Sequence, residues 1–197
     1  MFELKFRHFF LVFDFTFFAT VALMSVIRDN RVVMLGLITC LWHEFGHLIL
    51  MFLCKVNIQK VIFYGAGIKI VPDRQFAFTP FKAQFWVYAA GSMTNFLTAF
   101  LLSDSTDGNL QILASVNALI GAFNLLPLKH LDGGKLILLF IYKYCCIQRA
   151  ILLERYLKWI NAFLILIVLL VVCIIGIGNI TMFVTLGYLL VSTLIYE

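Results

Sequence analysis

Long apolar segments separated by short polar ones dominate the pattern of this chain. A helix needs about 20 apolar residues to cross a bilayer, and six segments reach or approach that length: 9–27, 32–53, 83–102, 110–127, 160–177 and the slightly shorter 180–196. The stretch 136–147 is apolar but is bounded by Lys135 and Lys143, which predicts a short or re-entrant helix. The pattern therefore predicts an all-α polytopic membrane protein with about six transmembrane helices.

The region between the second and third apolar segments, 55–81, has a different pattern. Apolar residues from Val56 to Ile70 mix with polar ones at short spacing and are interrupted by Gly65-Ala66-Gly67. This arrangement predicts one or two short strands with a glycine bend. One interpretation is a β-hairpin at the membrane surface, and the other is a strand edge that pairs with an extended peptide substrate.

Composition strengthens the membrane interpretation. Of the 197 residues, 63% are hydrophobic and 13% are charged, whereas a soluble domain is about half apolar and about a quarter charged. The formal net charge is +5. Because the basic residues lie in loops between apolar segments, anionic lipid heads are their expected partner and nucleic acid is not. The five cysteines lack metal-type spacing and are expected to be reduced packing residues.

The distribution of charge predicts an orientation in the membrane. Basic residues occur before the first apolar segment and in the loops 55–82 and 129–158, whereas the loop 103–109 has none. Loops rich in Lys and Arg stay cytoplasmic, so the N-terminus and both basic loops are expected on the cytoplasmic side. The first segment is too long for a signal peptide and lacks a small-residue cleavage site, so it is interpreted as a retained span.

A metal-binding pattern lies inside the second apolar segment. His43-Glu44-Phe45-Gly46-His47 has the form H-E-x-x-H, in which two histidines four residues apart share one helix face and the Glu lies beside a metal-bound water. Ionisable residues within a membrane segment are costly unless a partner compensates them. Two packing histidines beside a helix acid are the alternative. The pattern predicts zinc bound by His43 and His47, with Glu44 as the catalytic base.

The third metal ligand has to come from elsewhere in the chain, and Asp132 is the best candidate. It follows Pro127 at the predicted cytoplasmic end of the fourth segment and precedes Gly133-Gly134, which allow a sharp turn. The charge-derived topology puts Asp132 and the histidines on the same side of the membrane. A helix N-cap is the alternative role for Asp132, and His130 is a competing ligand.

These motifs resemble the signatures of the site-2 protease family of intramembrane metalloproteases, which combine H-E-x-x-H with a later Pro-x-x-Asp-Gly type motif. The run from Asn124 through Asp132-Gly133-Gly134-Lys135 is most similar to the branch that contains stage IV sporulation protein FB. The resemblance implies a supporting role at the active site for Asn95, although Ser92 replaces the proline of the family's Gly-Pro-x-x-Asn pattern. An interhelical hydrogen bond is the alternative role for Asn95.

The resemblance also implies an activity and a setting. The chain is expected to be a single metalloprotease domain over residues 1–197, without the PDZ or CBS domains of some relatives. It is expected to be a protein of the cell membrane that hydrolyses a peptide bond of a membrane-associated regulatory protein, such as a sigma-factor precursor in sporulation. Membrane proteins that inhibit this cleavage are expected as further partners. A metal-ion transporter or a silent membrane scaffold are the alternatives. Asp14, in the first segment, is either a gating residue or an interfacial one.

Overall fold

The computed structural model describes residues 2–5, 10–18, 30–64, 67–129, 131–175 and 180–195. The chain divides into two compact units, residues 1–125 and 126–197. Among the described residues, the first unit combines a small β-sheet with three long helices, and the second unit is helical.

A four-stranded sheet forms one part of the first unit, with the strand order β1-β2-β3-β4. Strands β1 and β2 are antiparallel, β2 runs parallel to β3, and β3 and β4 form an antiparallel pair. The strands are β1 (Phe2–Lys5), β2 (Phe10–Phe13), β3 (Ile58–Tyr64) and β4 (Gly67–Pro72). The predicted hairpin is therefore the β3–β4 half of a larger sheet.

The predicted start of the first transmembrane span at residue 9 is wrong, because residues 10–13 form β2. Short apolar runs fit a buried strand and a helix equally well, so periodicity alone did not separate the two. Asp14 follows β2, and its carboxylate accepts a hydrogen bond from the backbone N–H of Thr16. Most of the remainder of the segment, residues 19–27, lies outside the described residues.

Three long helices in the described part of the first unit pack on one another. They are α1 (Asn30–Leu53), α2 (Phe81–Leu102) and α3 (Gly108–Asn124). The Trp42 indole N–H donates a 2.9 Å hydrogen bond to Thr98 Oγ1 and links α1 to α2. The Asn117 amide N–H donates to Thr39 Oγ1 at 3.3 Å and links α3 to α1. Polar side chains that bond across helices in this way are a common means of holding apolar helices together.

The C-terminal end of α1 connects the helices to the sheet. Lys55 has a φ of 55°, and the backbone N–H groups of Lys55 and Val56 donate to the carbonyls of Phe52 and Met51. These two bonds are those of a Schellman motif, which ends a helix with one left-handed residue. Val56 and Met51 then pack in a buried cluster with Phe76 and Val87.

The second unit contains α4 (Asp132–Tyr144), α5 (Ile147–Ile175) and α6 (Ile180–Ile195). The segment before α4 is held within the unit, because the Asn161 side-chain amide of α5 donates a hydrogen bond to the carbonyl of Pro127. Gly134 packs directly on the backbone carbonyl of Leu128, and a Cβ at Gly134 would lie 2.8 Å from the Lys129 nitrogen. A side chain at position 134 would therefore displace the segment that leads into α4.

Three described helices are long and apolar enough to cross a membrane: Met34–Leu53 within α1, Phe81–Leu102, and Ile147–Ile175. Large apolar side chains on these helices are exposed, among them Phe100 and Ile174, which are 76% and 83% exposed. Such exposure suits a lipid environment. Helices α3 and α6 have 17 and 16 residues, and the total of about six spans stays a prediction.

Candidate metal centre

Helix α1 presents His43 and His47 on one face, one turn apart. Both side chains are buried, with 4% and 7% of their surface exposed, and their Nε2 atoms are 3.3 Å apart. Two nitrogens that each lie about 2.0–2.1 Å from a tetrahedral zinc are about 3.3 Å from one another. The two imidazoles therefore converge with the spacing that a shared zinc ion requires.

A backbone contact determines which nitrogen of His47 is available. Nδ1 of His47 lies 2.6 Å from the carbonyl oxygen of Val87 in α2. Since a carbonyl only accepts, Nδ1 carries the proton and donates it, which leaves Nε2 unprotonated in the neutral imidazole. Hydrogen bonding of the remote ring N–H to a carbonyl is the usual arrangement for a metal-binding histidine.

Asn95 provides the corresponding contact for His43. Its side-chain nitrogen Nδ2 lies 3.2 Å from Nδ1 of His43, while its buried Oδ1 has no hydrogen-bond partner in the described ranges of the chain. A metal on Nε2 of His43 requires a proton on Nδ1 and therefore an acceptor next to it. Rotating the Asn95 side-chain amide by 180° would bring its Oδ1 next to Nδ1 of His43. The oxygen and nitrogen of an Asn side chain are assigned from the hydrogen-bond network, and exchanging them is a standard step of that assignment.

Gly91 of α2 lies against both imidazoles. A Cβ built on Gly91 would contact Nε2 of His47 and would lie 2.5 Å from Nε2 and 2.6 Å from Cε1 of His43. No other residue type fits there without moving the rings, because real side chains do not approach so closely. The absence of a side chain at residue 91 keeps open the space into which the two Nε2 atoms point.

Asp132 is the first residue of α4 and is 3% exposed. Its Oδ1 lies 3.0 Å from the Lys135 ammonium one turn later. The N-cap position belongs to Leu131, which makes no side-chain cap bond, so the alternative in which Asp132 caps α4 is wrong. The competing ligand His130 lies outside the described residues.

His43, His47 and Asp132 form a group that could hold a metal ion. The potential ligand atoms of these three buried residues all lie within 4.8 Å of one another. Two imidazoles and one carboxylate are a donor set that zinc accepts in catalytic sites, where three protein ligands leave one position open. The residue types of this group are ones that can bind a metal ion.

Glu44 is one of the residues that line a cavity of about 460 Å³ within the first unit. The other walls are apolar and come from α1, β3 and β4: Ile38, Leu41, Trp42, Phe45, Leu48, Val61, Phe63, Ile68 and Ile70. Glu44 therefore borders an apolar cavity and follows His43, a histidine of the metal-binding group, in the sequence, a position from which a carboxylate can take part in proton transfer.

Sequence reasoning missed several residues around the histidines. Gly91 and the Val87 carbonyl were not assigned roles, and Thr39 and Asn117 form a fully buried pair one helical turn before His43. Oδ1 of Asn117 and Oγ of Ser92 are buried without a hydrogen-bond partner among the described residues. Some of these residues could have been identified from the sequence, because polar residues within apolar segments often mark functional positions in membrane proteins.

The fold and the site together define a class of protein. Its members have apolar helices long enough to span a membrane, a small β-sheet, and a buried group of two histidines and one aspartate that could hold a metal ion. No known family model matches the chain, and no characterised protein matches it by sequence. A solved structure does match, the site-2 protease from Methanocaldococcus jannaschii, with a TM-score of 0.69 over 98% of this chain and 93% of that one. At 20% identity this likeness shows the fold.

The contact between Asn95 and His43 yields a prediction for two variants. Asn95→Leu removes the acceptor for Nδ1 of His43 and is expected to weaken zinc binding about 10–100-fold, as losses of such supporting contacts do. Asn95→Asp keeps an oxygen in place and is expected to bind zinc within a few-fold of wild type. Competition with a chromogenic chelator measures both affinities. Equal affinities of Asn95→Leu and wild type would show that Asn95 has no part in orienting His43.

Proposed function

We propose that this chain is an intramembrane zinc metalloendopeptidase. The observation that carries the proposal is the metal-binding group of His43, His47 and Asp132, together with Glu44 one residue after the first histidine. This is the arrangement in which H-E-x-x-H sites hydrolyse peptide bonds. The fold likeness to a site-2 protease supports it.

The histidine pair supplies the firmest support for a metal-dependent reaction. The two Nε2 atoms are 3.3 Å apart. Each imidazole ring is oriented by a contact at its Nδ1 atom, with Val87 for His47 and with Asn95 for His43, so both nitrogens are already in position to bind a cation. Preorganisation of this kind keeps ligands in place without the cost of reordering them. Zinc is the proposed ion because its preferred ligands are imidazole, thiolate and carboxylate in tetrahedral geometry.

The proposed chemistry is hydrolysis with Glu44 as general base. When bound, zinc lowers the pKa of a water molecule and polarises a carbonyl group. Glu44 would accept a proton from the attacking water and would pass it to the leaving amine. The apolar walls of the groove exclude bulk water from the proton-transfer step, which strengthens the local electrostatic interactions.

The substrate segment is proposed to bind in an extended conformation along β4. This strand lies at one edge of the described sheet, and Ile68 and Ile70 on one of its faces line the groove that contains Glu44. A peptide added to β4 would direct every second side chain to that same face. Main-chain pairing would then hold an unwound peptide, and apolar side chains would be favoured in the groove.

The proposed setting follows from charge and from the resemblance. We propose a multi-pass protein of the cell membrane with the metal centre toward the cytoplasmic side, where the basic loops are expected. The proposed substrate is a membrane-associated regulatory protein, of which a sigma-factor precursor is one example. Inhibitory membrane proteins are proposed as further partners.

The experiment that tests the function compares wild type with Asp132→Ala in detergent. Zinc content is measured by elemental analysis, and cleavage is followed on single-span substrates with apolar juxtamembrane segments. Wild type is expected to hold about one zinc per chain, and Asp132→Ala to lose most of it, because each missing ligand lowers affinity steeply. Cleavage is expected to fall with the zinc.

Asp104→Ala is the matched control, because Asp104 is an exposed carboxylate in the turn that follows α2. It is expected to keep both zinc and cleavage. Wild-type zinc content in Asp132→Ala would remove Asp132 from the ligand set. A wild-type chain that holds zinc and cleaves none of the substrates, including those whose juxtamembrane segment is already extended, would contradict the protease function and leave a metal-binding membrane protein.

A further inference from the structure

A second cavity, of about 710 Å³, lies within the second unit. Its walls come from the segment before α4, from α4 and α5, and from one residue of α6. The lining residues are Pro127, Lys129, Gly134, Ile137, Leu138, Ile151, Glu154, Arg155, Leu157, Lys158, Trp159, Asn161 and Thr193. Unlike the groove beside Glu44, it combines charged and apolar walls.

The charged wall is cationic. Three basic side chains and one carboxylate line the cavity, which leaves an excess of two positive charges. Lys129 pairs with Glu154 at 2.7 Å, and the Tyr142 hydroxyl donates a 2.6 Å hydrogen bond to the same carboxylate, which raises the pKa of Tyr142. Arg155 and Lys158 form no salt bridge within the described part of the chain. Their charges therefore remain available to an anion.

The cavity lies where the polar part of α5 meets its apolar part. The charged residues of α5 end at Lys158, and residues 159–175 contain none. Trp159, on the wall of the cavity, is a residue type enriched at the membrane–water boundary. On the apolar side, Ile137, Leu138 and Ile151 line the same space. A ligand that fills it would need an anionic head and a hydrocarbon body.

We propose that this cavity binds an anionic phospholipid of the surrounding bilayer, with the phosphate on Arg155 and Lys158 and an acyl chain against Ile137, Leu138 and Ile151. Basic pockets between membrane helices bind lipid phosphate in this way. A free phosphate ion would satisfy the cations but would leave the apolar wall uncovered. The assignment of a binding site does not depend on the proposed protease function.

Occupation of the cavity has a consequence for the segment that leads to Asp132. Lys129 and Gly134 are walls of the cavity, and they lie three residues before and two residues after Asp132. A lipid in the cavity would therefore restrain the backbone of residues 127–134. If the proposed function holds, the lipid composition of the membrane would stabilise the position of the third metal ligand.

The binding experiment uses native mass spectrometry of the purified full chain in detergent, with phosphatidylglycerol and phosphatidylcholine added in equal amounts. Wild type is expected to retain phosphatidylglycerol about 30-fold more than phosphatidylcholine, because each of the two basic residues near the anionic lipid contributes roughly one kcal/mol. The double variant R155Q/K158Q is expected to lose most of that preference. K69Q/K82Q removes the same charge from exposed positions in the first unit and is expected to keep it.

Three results would overturn the site. These are equal retention of the two lipids, an equal loss of preference in K69Q/K82Q, and displacement of phosphatidylglycerol by the same concentration of inorganic phosphate or glycerophosphate. The last would identify a site for a free phosphate group. Because the readout is retained lipid, failure of the protease function would not affect it.

Hydrogen exchange tests the restraint of residues 127–134 separately. Exchange of the backbone amides that follow Pro127 in this range is expected to be several-fold slower in phosphatidylglycerol nanodiscs than in phosphatidylcholine nanodiscs for wild type. In R155Q/K158Q the two rates are expected to be equal. Rates in wild type that do not depend on the lipid would overturn the restraint.

Discussion

Replacing Glu44 with glutamine is expected to reduce cleavage by about 10²–10⁴-fold, the contribution that a positioned general base makes. The variant is expected to keep wild-type zinc content, because Glu44 is not one of the three residues of the metal-binding group. Glutamine has nearly the same shape as glutamate, but its amide cannot accept the proton of the attacking water. Cleavage of a single-span substrate and elemental analysis of the same preparation measure both properties.

A matched control for this variant is Glu3→Gln, which removes an exposed carboxylate from β1. It is expected to cleave at the wild-type rate. Cleavage by Glu44→Gln within about tenfold of wild type would be less than a general base contributes and would exclude Glu44 from that role. Loss of zinc together with cleavage would instead show that Glu44 supports the metal.

Replacing Gly91 with alanine is expected to abolish zinc binding. The new methyl group would lie 2.5 Å from Nε2 of His43 and against Nε2 of His47, in the space on which both nitrogens converge. Either the two rings rotate apart or the methyl group occupies the space of the ion. In both cases the two nitrogens can no longer lie about 2.0–2.1 Å from a shared zinc ion. Zinc content after dialysis against a weak chelator measures the effect.

Two further glycine variants separate metal displacement from general disruption. Gly36→Ala lies on α1, where a Cβ would meet no described atom outside the backbone of its own helix within 4 Å, and it is expected to keep zinc and gain up to about 1 kcal/mol of stability. Gly46→Ala would place its methyl group 2.9 Å from the Ala90 carbonyl of α2, so it is expected to lower the thermal midpoint through helix packing. Wild-type zinc content in Gly91→Ala would contradict the assigned geometry.

Local periodicity made the histidine pair predictable. His43 and His47 are four residues apart, and any helix through them places both on one face, so the sequence alone indicated a two-histidine site within an apolar segment. Apolar segments also predicted the helices, and the Gly65-Ala66-Gly67 bend predicted the β3–β4 pair. Each of these inferences depends on residues close together in the chain.

Features that depend on distant residues were less accessible. The apolar pattern predicts a helix for residues 10–13, but a run of four apolar residues does not specify its own structure. They form β2 because β3, some 50 residues later, offers a parallel partner in the register Phe10↔Lys60 to Phe13↔Phe63. Strand pairing of this kind is decided by tertiary contacts rather than by propensity.

The sequence by itself determined the apolar helices and the placement of His43 and His47 on one helix face with Glu44 next to His43, because helical geometry is local and repeats every 3.6 residues. It also singled out Asp132, through its position in a turn after an apolar segment. Only the tertiary structure decided that Val87 and Asn95 orient the two rings and that Gly91 leaves room between them. Those contacts join α1 to α2 across 40 to 52 residues of chain, and only the packing of one helix on the other specifies which atoms meet.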